Sequence, residues 1–581
     1  MLTRACSDPD PEIDYKRPIP TDPFNEQCFD TIRLWRSECT GHVNCSKTAL
    51  VELPKRVIEI PANSSEPPRL RVTNGEFGQY VILSHCWGSK GLAKLRGSLV
   101  TSYQEAIDPD TLPKSFLDAI NITRRLGFRY LWIDALCIIQ DSQRDWSEEA
   151  PKMAQYYGQS TLMIAATAAE NSNEGISAHR FVPYSPIMGK ERKYCLRQRL
   201  LRWVWDIERS VLATRGWTAQ ERMLASRIIH YTKRQMIWEC ADGFKFEASS
   251  INDMKLGAGQ VNIHFQKKSL QPLVMEALNE ADCSSEDFQD ETLDSILYSR
   301  SSPLSIDRAH TWQQCVDEYS GRALTISSDK LPALSGVAAV VNHDGAMGQY
   351  LAGLWSEHLI AGLAWSRPYY LLSSPPAFRA PSWSWASVDG AVSSLVLASP
   401  RELLEPPTDE IGKSWAERFD LKLNKQCMVL QDTRNVHGAV LPGSYVVVEA
   451  ACITHQALHR LSKEIYSNTL GVFGGPTVVL DLSNVVDCLR CGHPQDEEEP
   501  VDLSGEKAGS YDFCIYLMGD AWRNADGSVD MLLLCWVDQE AKIARRVGLL
   551  RMSLWQEEEN LGEFRRRFCA AEWKGWTLKL V

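Results

Sequence analysis

A chain of 581 residues exceeds one ordinary hydrophobic core, so roughly two to four domains are expected, and its 44% apolar and 23% charged residues suit folded globular domains. A formal charge of −12 argues against general affinity for nucleic acid or anionic lipid, since both reward basic surfaces. The 17 cysteines follow no framework spacing and suit a reducing compartment; no window approaches the roughly 20 apolar residues of a membrane span, so a soluble, cytoplasmic protein is expected.

Residues 1–79 read as an N-terminal segment, partly disordered: the first 25 are rich in Pro and Asp, and no apolar h-region of a secretory signal follows Met1. Phe29 to Trp35 predicts a short helix leading into Cys39-Thr40-Gly41-His42-Val43-Asn44-Cys45. Cys-x2-His-x2-Cys offers ligand types that zinc accepts, with Cys28 as the candidate fourth. Zinc sites normally show two pairs across a longer spacer; that second pair is missing, and no metal ligand is assigned.

Tyr80-Val81-Ile82-Leu83-Ser84 predicts a strand opening into the loop His85-Cys86-Trp87-Gly88. Ser115 to Leu126 has Phe116, Ala119, Ile120, Thr123 and Leu126 at helical spacing, with Gly127 closing the helix. The apolar run from Tyr130 to Ile139, broken by Asp134 alone, predicts a buried strand that delivers a carboxylate to its carboxyl end. Asp145 then offers a cap for a helix through Tyr157, with Glu148 at the capping-box offset and Pro151 as a kink. Thr161 to Ala166 returns as another buried strand. This order implies a parallel sheet with crossover helices, in which ligands bind outside the carboxyl ends of the strands. Gly216 to Leu224 predicts a short helix with Trp217 and Glu221, four apart, on one face.

Helical periodicity resumes around Trp312, Val316 and Tyr319 after an acidic insertion, Ala281 to Asp287; residues 232–400 read as an α+β companion region. Residues 401–416, with Pro406-Pro407 among acidic residues, read as a linker. Residues 417–581 carry short β-rich runs at Val446–Val448, Thr477–Leu480, Phe513–Leu517, Met531–Val537 and Arg546–Leu550, interrupted by an acidic loop at Gln495–Asp502, and predict a β-rich C-terminal domain. Cys488, Cys491 and His493 look metal-like but also lack a second pair. No Gly-x4-Gly-Lys-Ser/Thr phosphate loop is present.

Three blocks together carry a resemblance: Leu83-Ser84-His85-Cys86-Trp87-Gly88, Tyr130-Leu131-Trp132-Ile133-Asp134-Ala135-Leu136-Cys137-Ile138-Ile139-Gln140, and Arg215-Gly216-Trp217-Thr218-Ala219-Gln220-Glu221. In this order they resemble the fungal heterokaryon incompatibility (HET) domain over residues 80–231, with His85 where that family usually has Tyr. The resemblance implies an effector of nonself recognition that triggers growth arrest or programmed cell death, a form of innate immunity.

The order of strand ending in Ser, strand ending in Asp and late-helix Trp-x3-Glu is also similar to Toll/interleukin-1 receptor (TIR) domains. That likeness implies a TIR-like or flavodoxin-like α/β core: a small parallel sheet with helical insertions. It implies Glu221 as the catalytic carboxylate of a candidate NAD glycohydrolase (NADase). Ser84, His85, Trp87, Gly88, Asp134 and Trp217 would form the substrate site. Arg215 and Thr218 depart from the TIR pattern. No permanently bound cofactor is expected, with NAD as the candidate substrate. The expected partners are further copies through the HET domain and an unidentified recognition protein. The alternative is a non-catalytic interaction module that recruits a partner, with Glu221 pairing to Arg215, Arg222 or Arg227 around a helix end.

Overall fold

The computed structural model describes residues 2–4, 19–43, 45, 49–88, 93–176, 180, 184–188, 193–197, 203–248, 262–280, 303–366, 375, 377–394, 421–454, 478–481, 513–517, 529–552 and 574–581. The expected linker, both acidic stretches, the Cys488–His493 cluster and most of the first 25 residues lie outside that set. Contacts divide the chain into two compact units. One comprises Met1–Phe288, Arg322–Leu324 and Ala333–His343; the other comprises Gln289–Gly321, Thr325–Pro332 and Asp344–Val581.

The first unit is built on an eight-stranded mixed sheet. Its strands are β1 (Arg56–Glu59), β2 (Arg69–Val72), β3 (Tyr80–Ser84), β4 (Tyr130–Trp132), β5 (Leu162–Ala165), β6 (Arg227–Tyr231), β7 (Met236–Cys240) and β8 (Gly243–Phe246), in the order β8-β7-β6-β5-β3-β4-β1-β2. The four central strands, β6-β5-β3-β4, are parallel, with Ile82 opposite Trp132 and Ser84 opposite Ala165. β3, β4 and β5 are buried along their whole length, as continuous apolar runs in a two-sided parallel sheet should be.

The expected small parallel sheet is therefore the middle of a larger mixed one. The flanking pairs are antiparallel, and β6-β7 and β7-β8 are so because their connections are short. Cys240 pairs Gly243 across a two-residue turn at Ala241-Asp242, whereas a parallel pairing needs a crossover of about a dozen residues.

Helix α1 (Glu26–Cys39) is longer than the predicted segment; Asn25 caps it, and Phe29, Ile32 and Trp35 are buried. Trp35 tilts against Trp238 of β7 with ring centroids 6.4 Å apart. Helix α2 (Lys114–Arg125) lies where its periodicity predicts, burying Phe116, Ala119, Ile120 and Thr123. Gly127 takes φ +80° just past its end.

The next helix does not start at Asp145. Ser142 Oγ accepts from the Asp145 backbone N–H at 3.2 Å and caps α3 (Gln143–Glu149), a tight turn holds Pro151, and α4 (Met153–Gln159) follows. The Asp145 carboxylate is drawn instead to the buried Arg56 guanidinium, to Lys55 Nζ at 3.0 Å and to the Ile139 N–H at 2.8 Å. Helix α5 (Gly216–Leu224) is the short helix the sequence predicts. Helix α6 (Asn262–Glu280) places buried Lys267 and Gln271 against its carboxyl end.

In the second unit, helix α7 (Pro303–Ser320) buries Trp312, whose Nε1 donates to Gly353 O at 2.9 Å. A β-rich region follows: β9 (Lys422–Cys427), β10 (Tyr445–Thr454), β11 (Val478–Asp481), β12 (Phe513–Leu517), β13 (Val529–Asp538), β14 (Ile543–Met552) and β15 (Lys574–Leu580) form one seven-stranded sheet. Every β-rich run named from the sequence falls on one of these strands. Trp383 Nε1 donates to Leu580 O at 3.2 Å and Ser382 N to Val581 O at 3.3 Å, which stitches the Ser382-Trp383 segment to the end of the last strand. Among the described residues no helix is long and apolar enough to cross a membrane.

Candidate functional site

The parallel strands β3 and β5 are neighbours, yet the chain leaves them in opposite directions, β3 toward β4 and β5 toward β6. That is a topological switch point, where an open sheet leaves a crevice outside its carboxyl ends. Ser84 ends β3 there. Its hydroxyl donates to Glu221 Oε2 of α5 at 2.5 Å, while the buried Tyr157 hydroxyl of α4 donates to Leu83 O at 3.5 Å. Glu221 is only 6% exposed. Burial pushes its pKa up to about 7; the Ser84 hydrogen bond and Arg215 pull it down, and the Asp134 charge adds to the rise.

Asp134 follows β4 and opens a single helical turn, Asp134–Cys137. Its Oδ1 accepts from the Ala135 N–H at 2.7 Å, and its Oδ2 accepts from Trp87 Nε1 at 2.8 Å. His85 Nδ1 stands 3.9 Å from Asp134 Oδ1, edge-on to Phe116 with ring centroids 5.0 Å apart. Burial holds the His85 pKa down to about 4, so the ring is neutral at pH 7. Arg215 Nη1 donates to His85 O at 3.0 Å, tying the start of α5 to the loop after β3. Gly88 has φ +77°, and a Cβ there would fall 2.7 Å from Asn171 Cβ. Lys94 Nζ lies 4.9 Å from the centre of the Trp87 ring. Trp217 is half-buried in the first turn of α5, four residues before Glu221.

The seven residues singled out from sequence thus fall into a Ser84–Glu221 pair, a His85–Trp87–Asp134 group with Gly88 at its rim, and Trp217 one turn away. Arg222 does not pair with Glu221; its Nε donates to Glu239 at 2.9 Å and its Nη1 to Glu208 at 2.8 Å.

A second buried network lies beside the first, and sequence reasoning missed it. His230 at the end of β6 places Nδ1 3.1 Å from Thr167 Oγ1 and Nε2 2.7 Å from Glu239 Oε2. Burial opposes ionisation of Glu239, but Arg222, Lys267 and His230 outweigh it and hold the carboxyl well below its usual range. The signal was legible: Glu239 is one carboxylate inside the apolar strand Met236-Ile237-Trp238-Glu239-Cys240, as Asp134 is in its own run. A cavity of about 20 Å³, lined by Ser84, Thr167, Thr218, Arg222 and His230 among others, lies between the two networks. It has room for about one water molecule. Two buried glutamates, one driven toward the neutral acid and the other held as the anion, are the kind of split pair that acid–base chemistry uses.

The first unit is thus built on an α/β sheet with polar side chains gathered at the carboxyl ends of its parallel strands. Residues 80–221 match the family model described as heterokaryon incompatibility protein (HET), so this segment of the chain is a HET domain. Ser84, Asp134 and Glu221 all lie within the matched stretch. No curated protein and no solved structure matches the chain.

Proposed function

We propose that this protein is an effector of fungal nonself recognition, the heterokaryon incompatibility role its HET domain suggests, and that it triggers growth arrest or cell death by hydrolysing NAD after self-association. The observation that carries the reading is the Ser84–Glu221 pair: a buried, proton-retaining carboxyl at the switch point of a parallel sheet. The bond broken is that between ribose C1′ and the nicotinamide nitrogen. Its electron pair leaves with nicotinamide and cancels the ring's positive charge. Water adds to C1′ and gives up a proton, so the products are nicotinamide, ADP-ribose and H⁺.

Glu221, ionised once association opens the site to solvent, stabilises the ribosyl cation, and Ser84 holds the carboxylate in place. Trp87 and Trp217 offer aromatic faces, and Gly88 lets backbone approach the substrate. His85 and Asp134 fix the loop. In the closed state burial keeps Glu221 partly protonated, and the domain is latent.

The small cavity at Ser84 favours a second reading, because about 20 Å³ is far below the ~300 Å³ or more of an ordinary ligand pocket. In it the domain is a non-catalytic module that recruits a partner protein, and Glu221 serves packing. Incubating the purified full-length chain with NAD at rising protein concentration and quantifying nicotinamide separates the two. Release that climbs faster than protein concentration is expected. A folded chain that releases none at any concentration leaves the recruitment reading.

A further inference from the structure

We propose that Cys39, His42, Cys45 and Cys240 form a closed zinc site that fastens the N-terminal helix α1 to the β7–β8 turn. The four ligand atoms all lie within 4.8 Å of one another. His42 Nδ1 is 3.6 Å from Cys45 Sγ and 3.6 Å from Cys240 Sγ. Zinc–sulfur bonds of about 2.3 Å and a zinc–nitrogen bond of about 2.0–2.1 Å at a tetrahedral angle place sulfur and nitrogen about 3.6 Å apart. Both His42–sulfur distances are therefore those of ligands on one tetrahedral ion.

The chemistry of the set agrees with its spacing. Three soft sulfurs and one imidazole are the Cys3His donor set of structural zinc, and four protein ligands leave no open position for catalysis. Disulfide chemistry does not account for the cluster: three thiols cannot pair off, and any one bridge strands the third sulfur beside the ring. Cys39, Cys45 and Cys240 are each at most 4% exposed.

The surroundings also fit. His42 Nε2 stands 3.6 Å from Asp242 Oδ2, the carboxylate–histidine arrangement that orients a metal-bound ring and fixes its tautomer. Metal binding displaces the three thiol protons, while the imidazole binds neutral through Nδ1.

Sequence alone assigned no metal ligand and offered Cys28 only as a candidate fourth. Cys28 Sγ donates to Glu247 Oε1 at 3.2 Å, away from the cluster. The fourth ligand is Cys240, 198 residues beyond His42 and brought in by the packing of α1 on β7. The missing second pair is thus split between a hairpin turn and a helix end.

The full-length chain, purified under reducing conditions, should carry one zinc per chain by elemental analysis. Metal-free protein titrated with cobalt(II) should show the intense d–d bands of a tetrahedral site together with sulfur-to-cobalt charge transfer. Cys240→Ser should lower bound zinc at least tenfold in protein that remains folded, and Cys28→Ser should retain it. His42→Cys keeps four ligands, so it should retain zinc while its cobalt spectrum gains charge-transfer intensity; this arm is informative even if Cys240→Ser does not fold. A wild-type chain with less than about a tenth of an equivalent of zinc and no tetrahedral cobalt bands would overturn the proposal. So would full zinc in Cys240→Ser, or an unchanged cobalt spectrum in His42→Cys.

Discussion

Glu221 and Glu239 stand on adjoining elements, both buried, and their neighbours drive them to opposite protonation states. Glu221 meets the Ser84 hydroxyl, and burial pushes its pKa from 4.5 to about 7. Between those values the unfolded chain releases the proton and the folded chain keeps it, so the folded state binds more protons. Stability contributed by the protonated form is complete below about pH 4.5 and falls as pH rises toward and through 7, by on the order of 3 kcal/mol in all.

Glu221→Gln does not titrate. Its melting temperature should gain on that of the wild type from pH 5 to about pH 7 and level off above, and parallel melting curves across pH 5 to 7 would sink this assignment. Glu239→Gln should act in the opposite sense. It leaves buried Lys267 without its anion and Arg222 with Glu208 alone, which costs about 3 kcal/mol, seen as a lower denaturant midpoint at pH 7. A change within ~1 kcal/mol would mean the network is not held as described.

At the scale of elements, the loop from Ser84 to Gly88 is set by backbone geometry as much as by side chains. Gly88 and Gly127 both sit at positive φ, but the added Cβ would meet Asn171 at Gly88 and open space at Gly127. Gly127→Ala should cost about 1–2 kcal/mol for the left-handed backbone alone. Gly88→Ala should cost roughly twice that, because overpacking adds to the strain. Equal losses in denaturant unfolding would remove the close approach as a cause.

What sequence made legible follows the same divide. Helix α2 and strands β3 and β5 were readable because one apolar pattern specifies each. The cap at Ser142 was not, since the alternative, Asp145, is claimed by Arg56 from a strand 89 residues away. The antiparallel flanks were not predicted, although Asp242-Gly243, with Gly243 at φ +139°, marks the turn between β7 and β8. Of the site, Asp134 was legible as the one polar interruption of an apolar run and Ser84 as the polar end of another, while Glu221 stood out through its spacing from Trp217 and the family resemblance. Tyr157, His230 and Glu239 were not assigned, because their partners are set by which strands become neighbours.

At the scale of the whole molecule, the proposed NAD hydrolysis requires Glu221 to be shielded until chains associate. Glu221 is 6% exposed and its hydroxyl partner Ser84 ends β3, so on that proposal opening must move β3 relative to α5. The measurement that tests this most directly is nicotinamide release from NAD by wild type and Glu221→Gln, at matched concentration and matched folded fraction. Gln keeps the size of the side chain and removes the charge that would stabilise a ribosyl cation, a loss of about 3 kcal/mol or roughly a hundredfold in rate. The account expects release from wild type, rising with association, and a loss of about that size in the variant. Equal release from both, or none from a wild-type chain that has associated, would contradict it.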